Sequence, residues 1–309
     1  MNQVKYVLLS LLLLFSYHIH GQYQIGLIPR ESPNKSISQK VGYTDIKIDY
    51  GSPKVKGRKI WGELEPYQEV WRSGANEATT IDVSTDIYVS DKKLPKGKYA
   101  IFIVPREKGQ PWTMNFNTRH KQWGAFNYDA TLDTLSVEVT PRWGQSHEEE
   151  LTYTILQDGY DEGTLRLSWE RVVLDVPFKT DYLDLFVKEV EERALKANTY
   201  TQWVVYIQGA DYLIDNYPNQ TVISSWLEKG ADQNDEDGEW SNQYYPRNYI
   251  IGHHRWASAK YQAYLQNFEN AIELAESITL LEGKYNFYKR NKDRLEIDKL
   301  IDEWREEAP

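Results

Sequence analysis

Between Asp45 and Val176 the apolar residues of this chain recur at every second position, and beyond about residue 178 they change to helical spacing. A two-residue period puts alternate side chains on opposite faces of the backbone, which is the arrangement of a half-buried strand. Ile46, Ile48 and Tyr50 share one face, while Asp45, Lys47 and Asp49 share the other. Ile81 and Val83 repeat the pattern, as do Ile87 and Val89. Lys92 to Gly97 reads as a turn. Trp112, Met114 and Phe116 alternate next, then Leu135, Val137 and Val139, then Leu151, Tyr153 and Ile155. Leu165, Leu167 and Trp169 follow, and Val172, Leu174 and Val176 end the series at Pro177. Tyr99 to Val104 is apolar throughout and stops at Pro105. It reads as a central strand covered on both faces, although its period alone also fits a buried helix. Many short strands at regular spacing predict an antiparallel β-sandwich or jelly-roll-like domain over residues 22–177.

After it, Thr180-Asp181 can cap a helix that carries Tyr182, Leu185, Phe186 and Val190 at helical spacing. Lys188 to Arg193 supplies its solvated face. Further helical patterns run from Thr199 to Tyr217, from Asn219 to Lys229, from Arg255 to Gln266, from Glu269 to Leu281 and from Asp293 to Glu307. Amphipathic helices joined by short links predict helical hairpins over residues 178–309, similar to a tetratricopeptide stack but without a strict repeat. The fold class is therefore a β domain followed by an α domain.

Composition sets the setting. The 309 residues suit about two domains. The net charge of -10 argues against nucleic acid or anionic lipid as partner. Lys5, the apolar run Val7 to Phe15 and the segment Ser16 to Gly21 read as a secretory signal, residues 1–21, cleaved near Gly21-Gln22. The apolar run is too short to span a membrane. The chain has no cysteine, so disulfides, thiol catalysis and a lipoprotein anchor are out. A periplasmic or secreted bacterial protein is expected, and the sequons at Asn34 and Asn219 are read as accidental.

Polar chemistry concentrates in Trp71-Arg72-Ser73-Gly74-Ala75-Asn76-Glu77-Ala78-Thr79-Thr80, introduced by Gly57-Arg58-Lys59-Ile60-Trp61-Gly62. With these stand Ser32-Pro33, Gly42, Pro66-Tyr67, Leu94-Pro95, Trp112, Asn117, Trp123-Gly124 and Tyr128. Over about residues 32–140 the chain resembles the family catalogued as domain of unknown function 2911, common in secreted proteins of Bacteroidetes-type bacteria. The resemblance implies a compartment and a fold and marks where function lies, but implies no activity. Where the family pattern tends to read Tyr-Ser-Arg-Pro, this chain has Tyr50-Gly51-Ser52-Pro53. An anion site built on that arginine is weakened here.

Arg58, Arg72, Asn76 and Glu77 form the first candidate site. Guanidinium forks bind carboxylate or phosphate through two hydrogen bonds, asparagine donates and accepts, and a glutamate can act as acid or base. The structural alternative is a closed network in which Arg72 pairs with Glu77 and Asn76 satisfies the loop backbone. Trp61, Trp71, Trp112, Trp123 and Tyr128 could make a platform for a sugar ring or an apolar ligand, although aromatics this large are more often core and Trp112 alternates inward; Trp123 and Tyr128 sit in a loop-like segment and are the better ligand contacts. His253 and His254 are adjacent and point about 100° apart on a helix, so no metal site is expected there. The acidic stretch 232–239 fails the calcium-loop rule, because the bidentate Glu position falls on Tyr244. No cofactor motif is present. The leading expectation is a non-enzymatic envelope binding or scaffold protein for a small molecule, glycan or peptide, with the helices offering a surface to a protein partner. Its alternatives are a glycan or peptide hydrolase using Glu77, and a motif that serves folding alone.

Overall fold

Among the described residues, the alternating stretches fold into ten strands in two antiparallel sheets. The computed structural model describes residues 29–197, 201–231, 247–281 and 286–309. The expected export signal and the acidic stretch 232–239 lie outside the described residues. Contacts divide the chain into two units that meet between Tyr182 and Leu183.

The six-stranded sheet runs β1 (Asn34–Val41), β2 (Thr44–Gly51), β3 (Thr80–Val83), β6 (Gly97–Val104), β7 (Trp112–Asn117), β8 (Asp133–Val139). Between β3 and β6 the chain crosses to the second sheet as the hairpin β4 (Ile87–Val89) and β5 (Lys92–Leu94). That sheet is completed by β10 (Glu162–Thr180) and β9 (Arg142–Gln157), in the order β5-β4-β10-β9. Inner faces of both sheets merge in one apolar core: Ile46, Ile48, Ile81 and Ile103 from the first, Leu151, Tyr153, Leu167 and Leu174 from the second. Trp61, Trp71, Trp112 and Trp169 meet in its midst with ring centroids 4.7–5.8 Å apart, a spacing at which aromatic quadrupoles favour tilted contact.

β6 is the central strand that its continuous apolar run predicts. Ile101 and Ile103 enter the sandwich core, while Ala100 and Phe102 face a second cluster with Ala78, Val70, Ala125 and Tyr128. Loop residues thus cover the outer face of the sheet there.

Four expectations for the stretch from Lys92 to Thr180 need correction. Lys92 to Leu94 is a strand, and the turn lies before it at Ser90 (φ 48) and Asp91 (φ 62). Left-handed geometry at both central positions is the hairpin turn whose twist matches its strands. Leu165–Trp169 and Val172–Val176 belong to one strand, not two. Glu170 (φ 55) sits in a register shift against β9. From Ser168 to Val172 β10 advances four residues while β9 runs from Thr152 to Trp143, and the left-handed turn of the backbone at Glu170 moves the inward set from odd to even numbers, keeping both halves facing the core. Pro177 does not end that strand, which runs on through Phe178, paired with Val89, to Thr180. Thr180 is therefore strand, and its amide donates to Asp161 (2.7 Å).

The second unit holds helices α1 (Tyr182–Lys196), α2 (Gln202–Asn216), α3 (Val222–Ala231), α4 (Arg247–Tyr264), α5 (Phe268–Thr279), α6 (Phe287–Asn291) and α7 (Ile297–Glu307). α2 packs on α3 and α4 on α5 as helical hairpins. α4 begins eight residues before the predicted Arg255, and α6 was not evident in the periodicity. One core gathers Trp203, Leu213 and Trp226, and a second gathers Trp256, Ile278, Ile301 and Trp304. Glu191, assigned to a solvated face by sequence, instead accepts hydrogen bonds from Trp226 Nε1 (2.6 Å) and Lys229 Nζ (3.1 Å). Burial alone would raise its pKa; those bonds outweigh it and hold it low.

Candidate ligand-binding site

The Trp71–Thr80 loop is built onto the rim of the sandwich by backbone pairing. Trp71 and Ile103 exchange both amide–carbonyl bonds at 2.8 Å, and Ile101 N donates to Thr79 O (2.8 Å). Between these anchors the chain turns sharply at Ser73 (φ 47) and Asn76 (φ 65). Ser73 is buried, with its hydroxyl on Ile101 O (3.1 Å) and receiving Tyr153 OH (2.8 Å). Ala75 N donates to Gly51 O (3.1 Å). A Cβ on Gly51 would lie 2.1 Å from Ala75 O, so only glycine lets the loop settle here. Asn76 to Ala78 is then zipped to the following loop: Gly124 N donates to Asn76 O and Ala78 N to Gln122 O, each at 3.0 Å.

Asn76 and Glu77 consequently open on different sides. Arg58, Arg72 and Asn76 line one cavity of about 220 Å³, floored by buried Trp169 and Gly74 and rimmed by exposed Glu31, Lys54 and Lys56. Glu77 lines a broader groove of about 750 Å³, together with Asp49, Tyr50, Lys98 and His120. The pairing of Arg72 with Glu77 does not form. Arg30, from the segment before β1, takes both Glu77 oxygens at 2.5 and 2.9 Å. Its hydrogen bonds hold the Glu77 carboxyl below the usual range. Arg30 also lies 5.7 Å over the ring of Trp123, which is 53% exposed. Asn76 Nδ2 bonds the backbone oxygen of Ser32 (2.9 Å).

The two cavity arginines differ. Arg58 gives Nε to Val55 O (3.1 Å) and Nη2 to Lys54 O. Arg72 Nε is fully buried and finds no acceptor among the described residues. Trp169 Nε1, also buried, has none either. Tyr128 serves the scaffold rather than either opening. Its hydroxyl accepts from Asn115 Nδ2 (3.0 Å) and donates to the Asp133 carboxylate, and its ring packs edge-on against Phe102 (4.9 Å). Burial first, then the Asp133 contact, raise its pKa.

Sequence reasoning missed Glu65. It lines the Arg58–Arg72 cavity, and burial pushes its carboxyl up to about 7 against the opposing fields of Arg72 and Arg58. It lies in Leu64-Glu65-Pro66, where the neighbouring Leu64 is exposed, so no period marks it as inward. Arg30 was missed for the same reason, being in a stretch without alternation. Ser52, at the position where the family pattern carries arginine, is buried and donates to Leu151 O (2.7 Å). The guanidiniums of the cavity come from Arg58 and Arg72 instead. Among the described residues no group of three or more His, Cys, Asp and Glu could hold a metal ion, and no helix is long and apolar enough to cross a membrane. His253 packs between Tyr249 (4.5 Å) and Phe287 (4.6 Å).

Residues 32–178 match the model of a family described as "Protein of unknown function (DUF2911)", which takes in the strands from β1 to nearly the end of β10. No curated protein and no solved structure matches the chain.

Proposed function

Residues 32–178 belong to the DUF2911 family, and from the geometry of the Trp71–Thr80 loop we propose that they form a non-catalytic binding module of the cell envelope. The supporting observation is that this one loop lines two openings at once, Arg72 and Asn76 toward the smaller cavity and Glu77 toward the larger groove. A few polar groups beside a concave surface are the usual make-up of a small-ligand site, and the loop supplies such groups to each opening. The groove suits an extended glycan or peptide, with Trp123 next to Glu77 as an exposed stacking ring. The helical unit would offer a partner surface. The expected setting is the periplasm or the exterior, after removal of the N-terminal signal. Calorimetric titration against envelope glycans and peptides is the test. An Arg72→Ala, Glu77→Ala double variant should lose the interaction; equal affinity in variant and wild type would remove the loop from the site.

One observation favours a hydrolase as the second reading, and it shifts the acid from Glu77 to another residue. Glu77 is held ionised by Arg30 and is a poor proton donor. Glu65, at about 7, has the pKa of a general acid or base at neutral pH. Turnover of a glycan or peptide that vanishes in Glu65→Gln, with binding kept, would replace the binding reading by this one.

A further inference from the structure

A positively charged cavity in an acidic protein needs a reason. Four cations, Lys54, Lys56, Arg58 and Arg72, border the 220 Å³ space, against two carboxyls, Glu31 and Glu65. Glu31 is already bound to Lys56 (3.1 Å), and Lys54 to Glu150 (3.1 Å). Arg58 spends two nitrogens on backbone carbonyls. Arg72 is different: among the described residues it has no salt-bridge partner within 4.0 Å, and its buried Nε–H has no acceptor. Buried donors are nearly always satisfied, and leaving one bare is costly. The Nε1–H of Trp169, on the floor of the same cavity, is a second buried donor without an acceptor. Both donors lie under the cavity surface, and the lining itself carries more positive than negative charge, so the space suits an acceptor carrying negative charge.

We propose that this cavity binds a small oxyanion, a carboxylate or tetrahedral oxyanion group of a low-molecular-mass ligand, with Arg72 as its innermost donor. A guanidinium fork matches either shape through two parallel hydrogen bonds, and a space of this size admits such a group but not a sugar chain. Glu65 sets when the site is open. Its carboxyl faces Arg72 and Arg58, and the other charged groups around the cavity are Glu31, Lys54 and Lys56. Protonated, Glu65 leaves both guanidiniums to the anion. Ionised, it competes for them. With its pKa at about 7, the protonated fraction falls from about 0.9 at pH 6 to about 0.1 at pH 8, so affinity for an anion that binds only the protonated form falls about tenfold. The imidazole of His147 connects to this rim only through Glu149, which accepts the Lys56 amide (2.9 Å).

This inference rests on reading the loop as a ligand site, but only on its Arg72 side. The test uses acetate and sulfate, whose charges do not change between pH 6 and 8, on the full chain at constant ionic strength with chloride as control. The readout is the Arg72 Nε–H resonance, assigned by its loss in Arg72→Lys, together with the backbone amide resonances of Gly74 to Asn76 on the same cavity, which report binding in that variant as well. Saturable shifts with acetate mark a carboxylate site and with sulfate a tetrahedral one. Arg72→Lys should weaken binding at least tenfold at unchanged unfolding midpoint, and Glu65→Gln should bind equally at pH 6 and 8. A resonance that moves no more with either anion than with chloride overturns the proposal, as does a pH dependence that survives Glu65→Gln. Glycan or peptide binding that persists with no anion effect would sink this inference alone. Saturable anion binding with no glycan or peptide ligand would keep the cavity and discard the broader reading.

Discussion

Arg30 grips both carboxylate oxygens of Glu77, at 2.5 and 2.9 Å, across 47 residues of sequence. The pairing separates two groups that lie five positions apart in one loop. Glu77 is neutralised from outside by the segment before β1, while Arg72 turns to the opposite side and keeps its own buried Nε–H. The charge content of the motif is thus divided between a closed pair and an open cavity.

The pair itself should contribute little to stability. Both partners are partly solvated, with side-chain exposures of 35% and 51%. Exposed ion pairs gain modest Coulomb energy, lose side-chain entropy and are screened by salt. Glu77→Gln is expected to leave the thermal midpoint unchanged within the scatter of the measurement at 0.5 M salt, with at most a small drop at low salt. A large, salt-independent loss would mean that the motif acts chiefly as a folding device.

How much of this was legible in sequence follows from what the period can carry. Ile46, Ile48 and Tyr50 show alternation because one face of β2 is core and the other polar. Residues 99–104 show no alternation because β6 is covered on both faces, and only pairing separates strand from helix. The first half of β9, Arg142 to Glu149, was invisible because it is a strand with little apolar burial. A parity change such as that between Trp169 and Val172 looks the same for a bulge and for a turn. The loop that carries Arg72, Asn76 and Glu77 could be located from its polar density and glycine. Which cavity each side chain enters depends on φ at Ser73 and Asn76 and on the cross-loop bonds to Gln122 and Gly124. None of those has a local signature.

Gly51 gives a sharper test of the loop geometry. A methyl group there would stand 2.1 Å from the Ala75 carbonyl oxygen, which belongs to backbone and cannot swing away. Gly51→Ala should destabilise the domain by at least about 2 kcal/mol and speed hydrogen exchange at Ala75. Gly57→Ala is the contrast. Its φ of 66 is left-handed but nothing lies within 4 Å, so the loss should be about 1 kcal/mol. Equal losses in urea unfolding would contradict the close approach.

Glu170 tests the bulge. It holds φ 55, where a non-glycine residue is strained by about 1–2 kcal/mol. Its carboxylate accepts the Arg171 amide (2.7 Å), a local bond open to water, and its ion-pair contacts to Arg171 (3.6 Å) and His147 (4.0 Å) are long. Glu170→Gly should therefore be neutral or stabilising by up to about 1 kcal/mol. Deleting Glu170 is another matter. The deletion shifts Val172, Leu174, Val176 and Phe178 by one position and turns their side chains to solvent. The deletion variant should fail to give a cooperative unfolding transition, and a native-like one would disprove the role of the bulge.

Glu65 links the cavity to stability. Its folded pKa of about 7 lies above the ordinary glutamate value of 4.5, with burial as the main cause and Arg72 and Arg58 opposing. A carboxyl whose folded pKa is raised binds more protons folded than unfolded between those two values. Its contribution to stability is therefore fully present below about pH 4.5 and is lost as pH rises through 7. Glutamine cannot ionise and keeps the low-pH situation at every pH. Glu65→Gln should match wild type near pH 4.5 and exceed it at pH 8 by on the order of 2 kcal/mol, a figure already reduced for partial solvent access. Urea unfolding of both proteins at the two pH values measures this. A difference that does not grow with pH would mean that Glu65 is ionised in the folded protein well below 7. The same two proteins carrying Arg72→Gln give the companion result. Losing the larger of the two positive fields should raise the Glu65 pKa further and move the crossover to higher pH.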